Sequence, residues 1–313
     1  NHNNNLLKYF TFSLLITFIF ALIEGYTQYF FNVGIFGYGD SDETRLFLPL
    51  NDKMILGGYL SRLFPLLIAT FIYIFEPSKK NYFFLAFIFI STDILIYLSG
   101  ERTALGLLVI STIFIICLMS KLKFFRIITF LVSIGCIVLI SILNTEIKER
   151  NIDLTIKQLG MDSTSSKINM FSPQHESHFV AAWQMFEENP IHGVGPNLFR
   201  KLCDKPRYEP NPMTCSTHPH NTYIQLLSEV GLIGFLIFLL PVFYVSKVIL
   251  LHIHSTISRK KRIISDFQVC LLACFVLTLY PFLPTLNFFN NWINVIYFLP
   301  IGFYLQTIYP QEN

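Results

Sequence analysis

The sequence predicts an all-α, polytopic membrane protein with about eight transmembrane helices and one long external loop that contains short amphipathic helices. Hydrophobic residues make up 53% of the chain and charged residues only 14%, whereas a typical soluble domain is about 25% charged. The apolar residues are grouped into runs close to the roughly 17–25 residues that a membrane-spanning helix needs. The net charge of +3 is scattered between these runs, which argues against nucleic-acid binding.

Eight segments qualify as membrane spans. They cover residues 8–31, 54–75, 82–98, 103–119, 124–143, 222–248, 265–283 and 292–309. The third and fourth segments lie near the lower length limit for a span. The spans divide the chain into five N-terminal helices (1–143), an external loop (144–221) and three C-terminal helices (222–313).

Basic residues in the short loops set the predicted orientation, because cytoplasmic loops carry an excess of Lys and Arg. The relevant residues are Lys8, Lys79, Lys80, Lys121, Lys123, Arg126, Arg259, Lys260, Lys261 and Arg262. If the eight spans alternate, all of these residues fall on one side, which is then the cytoplasm and holds both termini. The other side receives residues 31–53, 99–102, 144–221 and 284–291.

The long external loop has the composition of a folded segment. Apolar residues recur at helical spacing: Phe179, Val180, Trp183, Met185 and Phe186. This pattern predicts an amphipathic helix on the membrane surface that ends at Asn189 and Pro190. Gly193 and Gly195 then permit a tight backbone turn.

Six cysteines fall into two groups. Four lie inside predicted spans, where cysteine usually behaves as a small buried hydrophobe: Cys117, Cys136, Cys270 and Cys274. Cys203 and Cys215 lie in the external loop, where an oxidising compartment favours a disulfide between them. Two free thiols are the alternative, and a metal site is less favoured because a second ligand pair is lacking.

Polar side chains cluster where the sixth span begins. His218, His220 and Asn221 stand just before it, and Asn221, Gln225 and Glu229 share one helix face. This face is predicted to line a cavity, because polar groups are costly against lipid. A histidine at its mouth can accept a proton from a hydroxyl near neutral pH. The alternative is that a histidine caps the helix or bonds to the loop backbone.

The turn between the third and fourth spans places Glu101 and Arg102 on the external side. A guanidinium offers forked donors that suit phosphate oxygens, and the start of a helix also favours anions. The alternatives for Arg102 are a lipid headgroup or an ion pair with Glu101 or Asp93. For Asp93, within the third span, a structural pair with Arg102 or another cation is expected.

Further arginines precede or enter spans on the external side. Arg45 and Arg62 can line the same cavity as Arg102, or extend to lipid headgroups. A basic cluster follows the glycine turn: Arg200, Lys201, Lys205 and Arg207. A solvated surface is usual for such a run, with anion binding as the alternative.

Several signatures are absent from the sequence. It has no Walker loop, no GxGxxG after a strand and no acidic cluster suited to Mg²⁺. The sequence therefore predicts no nucleotide or metal cofactor, which argues against an ATP-driven pump.

Three segments together resemble the O-antigen ligase and polymerase superfamily of bacterial membrane glycosyltransferases. SGERTA (99–104) is similar to its Ser-Gly-x-Arg-Thr turn. NPIHGVGPNLF (189–199) is similar to its Asn-Pro-x-x-Gly-Val-Gly segment. HPHNTYIQLLSEVGLIG (218–234) is similar to its His-Asn helix start with a trailing Glu and Gly-x-x-Gly. The resemblance covers residues from about 45 to 240, in the expected order and spacing.

The resemblance implies transfer of a glycan from an undecaprenyl-diphosphate carrier to lipid A-core or another hydroxyl acceptor, at the outer face of the bacterial cytoplasmic (inner) membrane, without metal or nucleotide. Arg102 would bind the diphosphate, and His220 would act as a base or orient the acceptor hydroxyl. Arg45 matches an arginine before the corresponding span. His178 stands where many members carry an arginine, for which Arg200 or Arg207 can compensate.

Members of this superfamily commonly have more spans than the eight counted here. Since the chain also begins without Met, we expect helices to be missing from its N-terminus.

Several functions remain open at this point. A polymerase that joins lipid-linked repeat units, or an enzyme that transfers the glycan to a protein hydroxyl, would use the same donor. A transporter of lipid-linked sugars is less favoured, since alternating access places key polar residues near the midplane rather than at the external mouth. A non-catalytic scaffold would tolerate replacement of His220, whereas an enzyme would not.

Overall fold

The computed structural model describes residues 2–37, 45–47, 55–76, 78–161, 171–208, 213–258 and 260–309. Within these ranges the regular structure is entirely helical. The α-helices are α1 (His2–Phe31), α2 (Leu56–Ile74), α3 (Lys79–Leu98), α4 (Arg102–Leu118), α5 (Lys123–Leu143), α6 (Thr145–Lys148), α7 (Leu154–Gln158), α8 (Pro173–Glu188), α9 (Phe199–Leu202), α10 (Thr222–Ile257), α11 (Asp266–Leu279) and α12 (Asn291–Ile308). A π-helical turn (Glu149–Asp153) and a 3₁₀ turn (Pro206–Tyr208) complete the set.

Each of the eight predicted spans coincides with one of the longer helices. Five helices are long and apolar enough to cross a membrane by length and composition: Asn5–Phe31, Leu56–Ile74, Lys79–Leu98, Lys123–Leu143 and Thr222–Ile257. Three more are apolar but shorter: Arg102–Leu118, Asp266–Leu279 and Ile293–Ile308. The chain is therefore an all-α, multi-pass membrane protein, as the composition predicts.

The chain divides into two compact units. The first comprises Asn1–Thr155, Arg259–Leu277 and Phe303–Asn313, and the second comprises Ile156–Ser258 and Thr278–Gly302. The division predicted from the sequence, into residues 1–143, 144–221 and 222–313, separates membrane spans from the loop and does not describe compact units. That division stays a prediction.

In the first unit, α2 packs against α1, α3 and α4, and α3 packs against α5. Large apolar side chains such as Phe64, Leu66 and Ile88 are fully enclosed between these helices. Cys270 and Cys274 are buried as predicted, whereas Cys117 is exposed and Cys136 half-buried. The latter two lie on α4 and α5, two helices whose outer faces expose apolar residues such as Ile113 and Leu139.

A buried ion pair joins α3 to α5. The Arg126 Nη1 and Nη2 atoms donate to the two carboxylate oxygens of Asp93 at 2.8 and 2.9 Å, and both side chains are at most 1% exposed. The Ser133 hydroxyl donates to the same carboxylate at 2.8 Å, and Arg126 donates to Thr112 at 2.6 Å. The rings of three phenylalanines, Phe64, Phe89 and Phe130, lie 5.1–5.3 Å from the guanidinium carbon.

This pair confirms one expectation and corrects another. Asp93 forms a structural pair, as expected, and its cation is Arg126. Arg126 was counted with the basic residues of a cytoplasmic loop, but it lies inside α5. The guanidinium is placed inside the helix bundle because it finds a carboxylate, two hydroxyl-bearing neighbours and aromatic faces there, which offset the loss of water.

We predict that Asp93→Ala lowers the free energy of unfolding by about 3 kcal/mol or more, since it leaves the Arg126 charge buried without its carboxylate. The double variant Asp93→Leu, Arg126→Leu should recover much of that loss, because no charge then remains buried. The thermal midpoint of the purified protein in detergent measures both effects.

The exposed pair of Lys148 and Asp153, with side chains 49% and 47% exposed, provides the control. Asp153→Asn should change stability by less than about 1 kcal/mol. If Asp93→Ala and Asp153→Asn lowered the free energy of unfolding equally, the buried pair would not contribute more to stability than the exposed pair, which would contradict the prediction.

Candidate functional site

The second unit is organised around a break in α10. Gly231 has φ 64° and ψ −168°, which interrupts the helix after its first turns. Four backbone hydrogen bonds join the break to residues 190–195: Val194 N to Ser228 O (2.8 Å), Gly195 N to Glu229 O (2.9 Å), Leu232 N to Pro190 O (2.8 Å) and Ile233 N to Ile191 O (3.3 Å). The groups that the break frees from the helix are therefore paired with a second chain segment.

Glycine is required on both sides of this contact. A Cβ atom at Gly231 would lie 2.4 Å from the Ile191 carbonyl oxygen, and one at Gly193 would lie 2.5 Å from the Glu229 carbonyl carbon. Gly231 thus contacts the turn at residues 190–195 rather than a neighbouring helix. At Gly234 the nearest atoms are those of the Val230 side chain in the same helix.

The polar face of the first turns of α10 is buried within the protein. The Glu229 carboxylate accepts hydrogen bonds from the Phe199 amide (2.8 Å) and the Gln225 side chain (2.9 Å). Gln225 also donates to Asn287 (2.7 Å) and accepts from the Phe288 amide (3.0 Å). This face was predicted to line a cavity; instead its side chains bond to neighbouring loops, because the break separates these turns from the rest of the helix.

His220 has a left-handed backbone, with φ 60°, immediately before this helix. The next residue, Asn221, caps the helix by accepting hydrogen bonds from the amides of Tyr223 and Ile224 at 3.0 and 3.2 Å. The Thr285 amide donates to the His220 carbonyl at 2.9 Å. A left-handed conformation at a residue other than glycine costs on the order of 1–3 kcal/mol and is found most often at functional sites.

The loop between α11 and α12 holds this helix start in place. Besides the Thr285 amide, its contacts are His218 Nε2 to Thr285 O (3.0 Å), Asn221 Nδ2 to Pro281 O (3.0 Å), Thr222 Oγ1 to Thr285 Oγ1 (3.0 Å) and Tyr223 OH to Leu279 O (2.7 Å). Sequence reasoning placed residues 284–291 outside the membrane but assigned them no part in the site.

Four imidazole rings lie together: His175, His178, His218 and His220. The ring centroids of His220 and its neighbours are 4.0 Å apart for His218, 5.3 Å for His175 and 5.4 Å for His178. His175 was missed in the sequence, although its spacing of three residues from His178 places both on one face of α8. Among the described residues, no group of three or more His, Cys, Asp or Glu is arranged to hold a metal ion.

The hydrogen bonds of the histidines differ. His218 is tied at both nitrogens: Nε2 donates to the Thr285 carbonyl, so that Nδ1 accepts from the Thr217 hydroxyl at 2.9 Å in the neutral ring. In His220 the bond is at Nε2, with Ser216 Oγ at 3.1 Å. His175 Nδ1 lies 2.7 Å from Ser172 Oγ. These contacts support an anchoring role for His218.

Two rings of this cluster, His218 and His220, are uncharged near neutral pH. Burial lowers the pKa of His218 to about 4; the hydrogen bond to the Thr285 backbone opposes this shift, and His178, Arg200 and His175 add to it. The pKa of His220 is lowered to about 3, chiefly by burial and also by His218, His175 and His178. The pKa of His178, which is fully enclosed, is lowered by burial and partly restored by the Met213 backbone.

A disulfide anchors the segment that carries these rings. Cys203 and Cys215 are bonded, as predicted. Cys203 is fully buried beside Met185, Phe199 and Tyr208, and Cys215 directly precedes Ser216. The bond therefore ties the chain before His220 to the core that α8 forms with α9. In α8 the buried residues are His178, Ala181, Ala182 and Met185, whereas Val180 and Trp183 of the predicted apolar stripe are 46% and 48% exposed.

The first unit contains a second charged cluster. The Glu101 carboxylate accepts hydrogen bonds from the amides of Gly57 (2.7 Å) and Gly58 (3.1 Å), at the start of α2. Burial raises the pKa of Glu101 to about 7, opposed by Arg45, by these two amides and by Arg62. The carboxylate thus occupies a helix N-terminus, a position that favours anions. The sequence did not indicate this role for Glu101.

Three predicted arginines lie around this carboxylate. Arg62 is 6% exposed and donates to the Gly58 carbonyl at 3.0 Å, so it is enclosed rather than extended to the surface. Arg102 is the first residue of α4 and experiences electrostatic repulsion from Arg45. The structure therefore places Arg45, Arg62 and Arg102 around Glu101, and the cavity that they were predicted to line stays a prediction.

Arg200 is exposed and belongs to the second unit. Its guanidinium donates to Asn197 Oδ1 at 2.8 Å, and Asn197 also accepts from Asn287 at 3.1 Å. Arg200 acts electrostatically on both Glu229 and His218, and it is linked through Asn197 to the loop that holds the helix start.

The comparisons with known proteins point to one family. Residues 84–239 match the family model described as O-antigen ligase. The matched range includes Arg102, His178, His220 and Gly231, whereas Arg45 and Arg62 precede it. No curated protein matches the chain.

We predict that Gly231→Ala destabilises the protein by more than about 1–3 kcal/mol, the cost of its backbone conformation alone, because the added Cβ also meets the Ile191 carbonyl. Gly193→Ala should have a comparable effect. Gly135→Ala in α5, where a Cβ meets nothing within 4 Å, is the matched control and should leave the thermal midpoint unchanged or slightly higher. Equal midpoints for Gly231→Ala and Gly135→Ala would contradict the pairing.

The histidine cluster predicts a loss of stability in acid. An unfolded histidine has a pKa of about 6.5, so below that pH the unfolded chain binds protons that buried His218 and His220 do not. The stabilisation is complete above about pH 6.5 and is lost as the pH falls toward the folded pKa values. The thermal midpoint should therefore decrease when the pH is lowered from 7.5 to 5.

The thermal midpoint of His218→Gln should decrease less over this pH range. That of His254→Gln, at an exposed position near the end of α10, should decrease as in the parent. A pH dependence identical in parent and His218→Gln would show that this ring does not contribute.

Proposed function

Because the chain belongs to the O-antigen ligase superfamily, we propose that it transfers a glycan from an undecaprenyl-diphosphate carrier to an acceptor hydroxyl, with lipid A-core as the first acceptor to test. The observation that carries this proposal is the match of residues 84–239, which includes both Arg102 and His220. In the proposed reaction, the acceptor oxygen bonds to the anomeric carbon, the bond from that carbon to the carrier diphosphate breaks, and the acceptor loses its proton.

We assign the carrier diphosphate to the arginines around Glu101. Negative charge builds on the diphosphate as it leaves, and fixed guanidinium groups stabilise such charge most where water is excluded. The closeness of Arg45 and enclosed Arg62 to Glu101 supports this assignment, with Arg102 as the main ligand. The guanidinium groups of Arg45 and Arg102 repel one another, and a bound diphosphate would reduce that repulsion.

We assign the acceptor hydroxyl to His220. Its low pKa keeps the ring neutral, so that a ring nitrogen can accept a hydrogen bond and orient a hydroxyl. The same low pKa makes the ring a weak base, which favours proton transfer late in the attack rather than before it. His218, Asn221 and Glu229 would act by holding this segment. His178, enclosed beside the His220 ring, would support that ring, and Arg200 would contact the acceptor or the donor glycan.

The proposed setting is the bacterial cytoplasmic membrane, with both termini in the cytoplasm and the histidines and Arg102 on the periplasmic side. The basic short loops support this orientation. No metal or nucleotide is required in this scheme, and the partners are the lipid-linked donor, the hydroxyl acceptor and membrane lipids.

Two related activities share the donor. A polymerase would extend the lipid-linked glycan itself, and a protein O-oligosaccharyltransferase would use a protein hydroxyl. They differ from the ligase in the acceptor, so the identity of the product separates them. A transporter would move the donor without breaking its diphosphate linkage.

We predict that His220→Ala and Arg102→Ala each lower transfer at least a hundredfold, since each removes a group assigned to the reacting atoms. Membranes that contain the parent or a variant would be supplied with lipid-linked donor and lipid A-core, and the glycosylated product and released diphosphate carrier quantified. His254→Ala and Lys157→Ala, both exposed away from these clusters, should keep the parental rate.

Thermal midpoints in detergent establish that each variant is folded. Unchanged transfer in folded His220→Ala and Arg102→Ala would overturn the site assignment. Longer lipid-linked glycan with lipid A-core left unmodified would identify a polymerase, and glycosylated protein would identify an oligosaccharyltransferase.

A further inference from the structure

A cavity of about 370 Å³ lies in the first unit, where α2 ends and α3 and α5 begin. This is the opposite end of α2 from Glu101 and its arginines. None of the residues that line this cavity is assigned to the proposed glycosyl transfer.

One wall of the cavity is aromatic. It includes Phe71, Tyr73, Phe75, Tyr82 and Phe267, and the rings of Tyr73 and Phe267 are in contact, with centroids 4.9 Å apart. Tyr73 and Tyr82 are 52% and 37% exposed. Tyrosines with an apolar body and a polar tip concentrate where hydrocarbon meets water, so this wall has the chemistry of the membrane interface.

The rim is cationic. Exposed lysines adjoin residues that line the cavity in the sequence: Lys79 and Lys80 lie between Ser78 and Asn81, and Lys260 and Lys261 precede Arg262. Lys121 itself lines the cavity. The acidic residues there are Glu76 and Asp266, so the positive charges are in excess.

Asp266 is already neutralised within the protein. Its carboxylate accepts from Arg262 at 2.6 Å and from the amides of Ser120 and Lys121 at 3.0 and 2.9 Å. These bonds also fix the loop that carries Lys121. The ammonium group is therefore presented from an ordered rim, above an apolar wall.

From this arrangement we propose that the cavity binds an anionic phospholipid, with the headgroup phosphate at Lys121 and an acyl chain along the aromatic wall. Basic pockets between membrane helices recognise anionic lipid headgroups, and the aromatic wall beside Lys121 offers an acyl chain a surface that a soluble anion would not use. The site is independent of the glycosyl-transfer function.

The test is binding of phosphatidylglycerol and of phosphatidylcholine with the same acyl chains to the purified full chain, measured by native mass spectrometry from a neutral detergent. We expect phosphatidylglycerol to bind the parent at least about tenfold more tightly than phosphatidylcholine. Lys121→Glu should weaken phosphatidylglycerol about tenfold, since reversing one charge near a lipid surface has roughly that effect. Lys157→Glu, exposed in the second unit, should bind as the parent does.

Tyr82→Ala is the second variant and should weaken phosphatidylglycerol binding. Because the Tyr82 ring also contacts Phe125, the thermal midpoint of the lipid-free variant establishes that it is folded under the binding conditions. Glycerol 3-phosphate serves as the soluble anion and should not compete at millimolar concentration.

Equal binding of the two lipids, equal loss in Lys121→Glu and Lys157→Glu, or unchanged binding in Tyr82→Ala would each overturn the proposal. Effective competition by glycerol 3-phosphate would show that the rim binds a phosphate without its lipid, and it would also overturn the proposal.

Discussion

The second unit depends on the pairing of backbone groups at Gly231. A helix that is interrupted away from water must find partners for the N–H and C=O groups that the break frees. Here residues 190–195 supply all four hydrogen bonds, and glycine at positions 193 and 231 lets the two backbones approach. Residues 190–195 and 228–233 thereby form one structural element. This element fixes the position of the first turns of α10, which His220 directly precedes.

The surroundings of His220 are fixed from three further directions. The loop after α11 bonds to its carbonyl group, the cap of Asn221 fixes the first turn of α10, and the disulfide holds the chain before it. Such convergence explains how a left-handed histidine persists, since a strained residue is stable only where its neighbours determine its conformation. The same contacts bury His218 and His220, and burial disfavours the charged form of each ring, so both are neutral near pH 7.

The sequence was sufficient for the eight long helices and for the disulfide, whereas the roles of the predicted site residues stay predictions. Apolar runs identify spans because the bilayer imposes their length, and the disulfide followed from two cysteines in one long loop. The pairing of Asp93 with Arg126 was not predictable, because the sequence places that arginine beside the lysines of a short loop, and its burial depends on the side chains of three helices. The capping of α2 by Glu101 and the contact of His175 with His220 likewise depend on how separate segments meet in space.

The buried pair of Asp93 and Arg126 has a consequence for how the chain enters its membrane. Alone in lipid, a carboxylate or guanidinium at the centre of a helix opposes insertion by roughly 2.5–3.5 kcal/mol on translocon-based scales. Asp93 lies within α3 and opposes the insertion of that helix alone, whereas Arg126 lies in the first turn of α5. Once both helices are present, each charge is paired with the other, and Thr112 of α4 accepts a hydrogen bond from the same guanidinium. The pair therefore favours the assembly of α3 with α4 and α5 in the bilayer over an isolated α3.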